Sequence, residues 1–142
     1  MADFRDRYGP WALVTGAGNG LGAEFARQLA KLGLNVVLVD LDGAGLEAIA
    51  TELRVQAGVE IRTVQLDLAQ PAFMTQLDPV IQGLDIGLVI NNAGISALGL
   101  FTGRPLQDQL SVVDVNVRAP LVLAHHFAPR LIQRGKGGLL FV

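Results

Sequence analysis

The sequence predicts an α/β fold in which a doubly wound parallel sheet carries helices on both faces. Three observations indicate this fold. Short apolar runs alternate with segments of helical periodicity from one end of the chain to the other. Most of the runs are continuously apolar, as in strands that are buried on both faces. Many of the 17 glycines among the 142 residues lie where a run or a helical segment stops. The length is typical of one domain.

The first third of the chain gives a strand, a glycine loop and a helix. Residues 1–10 are mostly polar and are interpreted as a lead-in segment before a domain over 11–142. The apolar run Trp11–Thr15 predicts a buried strand. The loop Gly16-Ala-Gly-Asn-Gly-Leu-Gly22 follows. Apolar residues at helical spacing then predict a helix over 23–32.

The middle of the chain repeats this alternation. The run Asn35–Asp40 is the second predicted strand, 46–54 is the second helix and 61–67 is the third strand. We expect a further helix from Pro71, because proline is well tolerated in the first turn. Pro79 is expected to break or kink that helix.

The last third begins with a predicted fourth strand over 86–90, which ends in Asn91-Asn-Ala-Gly94. Residues 106–134 form one long helical pattern, and Pro120 predicts a bend within it. Residues 139–142 begin a fifth strand. We therefore expect the sheet to be truncated after its fifth strand.

Composition excludes several classes of partner. The net charge of −2 gives no general attraction to nucleic acid or to anionic lipid. The absence of cysteine excludes disulfides and thiolate chemistry. The N-terminus has no apolar signal segment, and the uncharged run 86–103 contains four glycines and several polar residues. We expect a cytoplasmic protein without nucleic-acid or membrane partners.

The glycine loop and Asp40 together predict a dinucleotide site. The loop leaves a strand and opens a helix, so Gly16 allows a sharp turn, Gly20 leaves room for a phosphate and Gly22 allows close packing. Asp40 ends the second strand 24 residues after Gly16, where an acid holds the adenosine ribose hydroxyls. The alternation of strands and helices predicts a Rossmann-type sheet with strand order 3-2-1-4-5, with the glycine loop and Asn91 at the same carboxyl edge. The competing interpretations are a plain tight turn and, for Asp40, a helix N-cap.

Asp40 also favours NAD over NADP. A phosphate charge on the ribose 2′-oxygen, ~4 Å from a carboxylate, is repelled by ~4 kcal/mol at an effective dielectric of ~20. That energy corresponds to about a thousandfold in affinity. Residues 41–53 contain no Lys or Arg, and Asn19 stands before Gly20 where a basic residue could have offset the repulsion.

Four motifs resemble those of the short-chain dehydrogenase/reductase family. Thr15-Gly-Ala-Gly-Asn-Gly-Leu-Gly22 matches its glycine loop, Asp67-Leu68 its adenine-contacting pair, and Asn91-Asn-Ala-Gly94 its second signature. Asp114-Val-Asn116 matches the segment that carries a catalytic asparagine. The resemblance runs from residue 11 onward, and Tyr8-Gly-Pro-Trp-Ala12 is similar to the steroid- and ketoacyl-reductase branch.

The resemblance implies a set of cofactor contacts at successive strand ends. They are Gly16, Asn19, Gly20 and Leu21 at the pyrophosphate and adenosine ribose, Asp40 at the ribose, Asp67 and Leu68 at the adenine, and Asn92, Ala93 and Gly94 along the cofactor. Asn116 is implied to hold a water that relays protons to a catalytic lysine. The plainer interpretations are backbone capping for Asn91 and Asn92 and an ordinary polar helix position for Asn116.

The family's reaction also needs a Tyr-x-x-x-Lys pair and a serine. This sequence has no such pair: Tyr8 is its one tyrosine, and Lys31 and Lys136 are its lysines. The resemblance therefore implies a cofactor-binding half, over 11–142, of a longer enzyme that acts on a small-molecule alcohol or carbonyl with NAD. It also implies a homo-oligomer paired through the long helix, and we expect the 142 residues alone to be inactive.

Other functions are carried as alternatives. The missing tyrosine and lysine suit a non-catalytic dinucleotide-binding or regulatory module, if 142 residues is the natural length. A methyltransferase with another glycine loop is disfavoured by Asn91-Asn-Ala-Gly94. We predict no metal site, because the adjacent His125 and His126 point about 100° apart on a helix. Ser96 and Ser111 have no histidine at hydrolase spacing.

Overall fold

A computed structural model describes residues 4–142, which form five strands and six α-helices. The strands are β1 (Trp11–Thr15), β2 (Asn35–Asp40), β3 (Ile61–Gln65), β4 (Ile86–Asn91) and β5 (Gly138–Phe141). The helices are α1 (Phe4–Tyr8), α2 (Gly20–Lys31), α3 (Gly43–Ala57), α4 (Met74–Ile81), α5 (Leu106–Val113) and α6 (Ala119–Arg134). A 3₁₀ turn covers Phe101–Gly103, and a π-helical turn, called the π-turn below, covers Asp114–Arg118.

The five strands form a parallel sheet in the order β3-β2-β1-β4-β5, which confirms the predicted order. Thr15 is in register with Val39, and Val14 is in register with Ile90. The carboxyl ends of β1, β2 and β4 therefore meet at one edge of the sheet, and the loops that follow them begin side by side.

The sheet is buried on both faces. Every residue of the central strand β1 is buried, which explains its uninterrupted apolar run. Ala12 and Val14 face the core layer that includes residues of α2 and α3. Trp11 and Leu13 face the opposite layer, which includes residues of α4 and α6. Successive side chains of a strand point to opposite faces, so one short run supplies both cores.

The lead-in segment, for which no element was predicted, contains α1. Phe4 and Tyr8 pack against the core layer formed with α2 and α3. They lie four residues apart and thus on one side of a helix, whereas Arg5, Asp6 and Arg7 are exposed. The helix was not predicted because charged residues separate the two apolar ones in the sequence, and the core layer against which they pack is formed by residues farther along the chain.

The helix around Pro79 differs from the prediction. Residues 71–73 form a turn, and α4 begins at Met74 rather than at Pro71. Pro79 lies inside α4, which continues to Ile81. Proline removes one N–H from a helix, but burial of Leu77 and Ile81 against the sheet holds this short helix together.

The long helical pattern is divided at Pro120, where a bend was predicted. The π-turn lies between α5 and α6, and Pro120 falls in the first turn of α6. A proline is tolerated there because first-turn N–H groups have no partner within the helix. Among residues 4–142, no helix is both long enough and apolar enough to cross a bilayer.

Candidate functional site

The loops at the carboxyl edge of the sheet enclose a cavity of about 260 Å³. Its lining comes from the segments after β1, β2, β3 and β4 and from the π-turn. The lining residues are Gly16, Asn19, Leu21, Asp40, Leu41, Leu66, Asp67, Leu68, Asn92, Ala93, Gly94, Ile95 and Val115. The structure thus brings together every predicted cofactor-binding residue except Gly20, which lies between two lining residues at the start of α2.

The glycine loop packs too closely for side chains at two positions. Gly16 has a φ of +66°, and a Cβ there would lie 2.9 Å from the Cα of Ala93. A Cβ on Gly22 would lie 1.9 Å from the carbonyl oxygen of Gly16. The positive φ of Gly16 agrees with the sharp turn predicted there, and the close approach at Gly22 agrees with the tight packing predicted there.

Gly20 differs from the other two glycines. Its φ is +53°, and a Cβ there would meet no atom within 4 Å. The space beside Gly20 is open, next to the first N–H groups of α2. A helix N-terminus with this exposure is suited to an anion.

Asp40 joins the end of β2 to the glycine loop. Its carboxylate accepts hydrogen bonds from the backbone N–H of Gly18 at 2.8 Å and of Asp42 at 2.9 Å. The N-cap of α3 is Asp42, which accepts from the N–H of Gly45 at 3.1 Å. The N-cap interpretation of Asp40 is thus wrong. The cap at Asp42 also explains why α3 begins before the predicted residue 46.

Asp67 shapes the loop that follows β3. Its Oδ1 accepts from the N–H of Ala69 at 2.9 Å, and its Oδ2 accepts from the side-chain amide of Gln70 at 3.1 Å. Leu68 is buried beside it. The carboxylate therefore stabilises the turn that presents Leu68 to the cavity.

Thr15 and Asn92 connect the ends of β1 and β4. The Thr15 hydroxyl oxygen accepts from the N–H of Asn92 at 3.1 Å and of Ala93 at 3.0 Å. The Asn92 amide nitrogen donates to the carbonyl oxygens of Thr15 at 3.1 Å and Gly16 at 3.2 Å. This pair fixes the glycine loop against the Asn91-Asn-Ala-Gly94 loop, so Asn92 does cap strand-end backbone.

Asn116 lies in the π-turn, outside the cavity lining. Its Oδ1 accepts from the N–H of Ile95 at 2.9 Å, and its Nδ2 donates to the carbonyl of Ile95 at 2.8 Å. Both ends of the amide thus hold the loop after β4. The backbone carbonyl of Asn116 lacks the α-helical N–H donor four residues ahead, because that residue is Pro120, which has no N–H.

Several residues at the site were not singled out from the sequence as site residues. Thr15 fixes the backbone of two loops, and Leu41, Leu66, Ile95 and Val115 complete the lining. Thr15 carried a usable signal, because a hydroxyl at the end of a fully buried strand needs a hydrogen-bond partner. The four apolar residues carried no such signal, because in sequence an apolar residue of a cavity wall looks like one of the core.

The part of the chain that the structure describes contains no group of three or more His, Cys, Asp or Glu able to hold a metal ion. His126 is mostly buried, with its Nε2 3.6 Å from Asp78 Oδ1. Burial, followed by the charge of Arg130, lowers the pKa of His126 below its ordinary value of 6.5. This histidine lies between α6 and α4, away from the cavity.

Comparison with known proteins supplies the family. The family model described as short chain dehydrogenase matches residues 10–142. A very-long-chain 3-oxoacyl-CoA reductase from Laccaria bicolor is 35% identical over 100% of this chain and 43% of its own length. A solved structure of a 7beta-hydroxysteroid dehydrogenase superposes with a TM-score of 0.92 at 29% identity, over 98% of this chain and 54% of that chain.

A short-chain dehydrogenase from Sphingobium yanoikuyae, solved in complex with NADPH, gives a TM-score of 0.86 at 34% identity, over 93% of this chain and 52% of that one. The chain thus spans about half the length of the relatives it matches. The match of the family model extends over nearly all of the sequence and includes every loop that lines the cavity. The chain belongs to the short chain dehydrogenase family.

Proposed function

We propose that the cavity binds NAD and that the protein is an oxidoreductase for an alcohol or carbonyl compound. The observation that carries this proposal is the convergence of the glycine loop, Asp40, the Asp67-Leu68 turn and the Asn92–Gly94 segment on one cavity. When bound, a nicotinamide cofactor supplies the hydride that is exchanged with substrate carbon.

The residues present fit such a cofactor. The open space beside Gly20, at the N-terminus of α2, suits the pyrophosphate. Asp40 has carboxylate oxygens beside the glycine loop, where they can accept from ribose hydroxyls. The buried Leu68 offers an apolar wall for the adenine, and Asn92 and Thr15 hold the backbone on the nicotinamide side.

The charges of the cavity support NAD rather than NADP. Asp40 and Asp67 both line it, whereas its lining includes no Lys or Arg. A 2′-phosphate close to Asp40 would be repelled without a compensating cation, by about 4 kcal/mol at ~4 Å and an effective dielectric of ~20. The relative from Sphingobium yanoikuyae was solved with NADPH, so this preference rests on the residues of the present chain.

The relatives narrow the substrate class. Two of them are named for a 3-oxoacyl thioester and for a hydroxysteroid. Both compounds carry a ketone or secondary alcohol on a large apolar body. We infer that the present protein acts on a bulky apolar ketone or alcohol of this type.

We propose that the group that transfers the proton is not among these 142 residues. Tyr8 is the one tyrosine, and its ring lies beside Gly138 at the start of β5, at the amino edge of the sheet opposite the cavity. We propose that the backbone carbonyl of Asn116, which lacks an α-helical donor, holds the water for the proton relay. The side-chain amide of Asn116 meanwhile bonds to the backbone of Ile95. The amide itself has no proton of suitable acidity to give.

A non-catalytic dinucleotide-binding module is the second candidate. The position of Tyr8 favours it, since neither a tyrosine nor a lysine lines the cavity within residues 4–142. Both candidates bind the cofactor, so they differ only in turnover. A cytoplasmic location stays a prediction for either.

Self-association is part of the proposal. Exposed apolar residues recur at three- and four-residue intervals along α5, the π-turn and α6: Leu106, Leu110, Val113, Val117 and Leu121. They form one stripe on the surface of a helical segment. We propose that a second copy of the chain covers this stripe.

The test combines binding with turnover. Fluorescence titration of the protein at its natural length with NADH should saturate, and the 142-residue chain should retain weak binding. NADH absorbance is then followed with 3-oxoacyl thioesters, hydroxysteroids and simple ketones. We expect turnover of a bulky ketone by the natural-length protein and none by the 142 residues alone. Binding without any turnover would support the second candidate, and no binding would refute both.

A further inference from the structure

Arg118 connects the π-turn to the loop after β3. It is the last residue of the π-turn, and its Nη2 donates to the carbonyl oxygen of Ala69 at 2.8 Å. The same Nη2 lies 3.1 Å from Asp114 Oδ1, one helical turn earlier. The two side chains are 35% and 24% exposed, so the pair is largely covered. Asp114 thus orients the guanidinium toward Ala69.

Ala69 is held on both sides of its backbone. Its N–H donates to Asp67 at 2.9 Å, and its carbonyl accepts from Arg118. Asp67 and Leu68 both line the cavity directly before it. The position of this cavity wall therefore depends on a cation that is 49 residues away in the sequence.

The π-turn contacts both sides of the cavity at once. Asn116 holds Ile95 in the loop after β4, and Arg118 holds Ala69 in the loop after β3. Val115, between Asp114 and Asn116, lines the cavity itself. Five consecutive residues thus connect two loops that the sheet order places on different strands.

We propose that Arg118 is a positioning residue that sets the adenine side of the cavity. This inference rests on the proposed dinucleotide function. A charge-assisted hydrogen bond to a backbone carbonyl is among the stronger contacts available to a loop. Without it, the turn at residues 67–70 has only its own short-range bonds, and the wall at Leu68 is less well ordered.

The variants are Arg118→Met, which removes the donor, and Arg118→Lys, which keeps a cation with hydrogen-bonding protons. Arg130→Met is the matched control, because Arg130 is an exposed arginine of α6 whose guanidinium lies near a ring of its own helix. The protein at its natural length is titrated with AMP, NADH and reduced nicotinamide mononucleotide. These ligands separate the adenine half of the cofactor from the nicotinamide half.

We expect Arg118→Met to weaken AMP and NADH binding by about tenfold and to leave the mononucleotide unchanged. Arg118→Lys should recover part of the loss, and Arg130→Met should behave as the wild type. Unchanged AMP affinity would overturn the inference. Equal weakening of all three ligands would also overturn it, because that pattern indicates general destabilisation.

Hydrogen exchange provides a readout without any ligand. Amides of residues 67–70 should exchange faster in Arg118→Met, whereas those of residues 16–22 should not. If Arg118→Met fails to fold, Asp114→Asn should give the same pattern more weakly, since it only releases the guanidinium. Unaltered exchange at 67–70 would refute the role. Failure of the wild type to bind NADH would instead refute the proposed function and leave the exchange result to decide the loop contact.

Discussion

A single methyl group at Gly22 tests how closely α2 approaches the glycine loop. In Gly22→Ala, the new Cβ would lie 1.9 Å from the carbonyl oxygen of Gly16 and 2.7 Å from the Asn92 amide nitrogen. Neither atom can move freely. The carbonyl is backbone, and the Asn92 amide donates to Thr15 and Gly16.

Two effects of opposite sign contribute to the change in stability. Alanine is favoured over glycine in a helix by roughly 0.5–1 kcal/mol, which alone would stabilise α2. Overpacking typically costs about 1–3 kcal/mol, and each lost hydrogen bond of the Asn92 amide costs about 1 kcal/mol more. The contact at 1.9 Å requires the loop to move by roughly 1 Å. We therefore expect a net loss of about 2 kcal/mol.

The assay is a pair of thermal melts with a cofactor titration. A loss of about 2 kcal/mol should lower Tm by roughly 6 °C in a domain of this size. The moved loop should weaken NADH binding by at least about tenfold, because phosphate contacts depend on backbone position. The matched control is Gly103→Ala, where the new Cβ would lie 3.8 Å from the Cβ of Leu100. A Gly22→Ala protein that is as stable as the wild type and binds NADH equally would show that the loop tolerates a Cβ at this position.

Arg134→Met should lower the free energy of unfolding, measured by chemical denaturation, by about 2–3 kcal/mol. The side chain of Arg134 is only 13% exposed, and it bonds to Asp85 and to backbone carbonyls before β1 and β5. A loss as small as that of Arg130→Met would contradict this prediction. His126 has a lowered pKa, so the folded chain binds its proton less readily than the unfolded chain. The free energy of unfolding should therefore fall as pH drops through 6.5, and it should fall more steeply than in His126→Gln. Thermal melts at several pH values measure this difference, and parallel stability curves for the two proteins would disprove the lowered pKa of His126. Sedimentation should show an associated species that Leu121→Glu dissociates, whereas a stable wild-type monomer would argue against self-association.

The fold was predictable because its signals are local. Glycines and buried apolar runs mark the strands, and the bounds predicted for Trp11–Thr15 and Asn35–Asp40 agree with β1 and β2. The parallel alternation then limits the topology to few choices. Pro79 shows where local rules fail, since burial of neighbouring residues outweighs the loss of one N–H.

The candidate residues could be named from the sequence, but the hydrogen bonds that connect them could not. The residues of the glycine loop, Asp40 and Asn92 were found from motifs and strand ends, and the structure places them on one cavity. The bonds that hold them cross long stretches of sequence. Thr15 reaches Ala93 across 78 residues, and Arg118 reaches Ala69 across 49. No spacing rule reveals such pairs, because their geometry exists only after the sheet has formed.

The proposed binding of NAD in the cavity is tested by titrating the natural-length protein with NADH and with NADPH under the same conditions. NADH should bind, and NADPH should bind at least about a hundredfold more weakly because of Asp40. Asp40→Ala should narrow this gap by removing the repulsion. Equal affinities of the wild type for the two cofactors would contradict the assigned role of Asp40, and the absence of binding by either would contradict the assignment of the cavity.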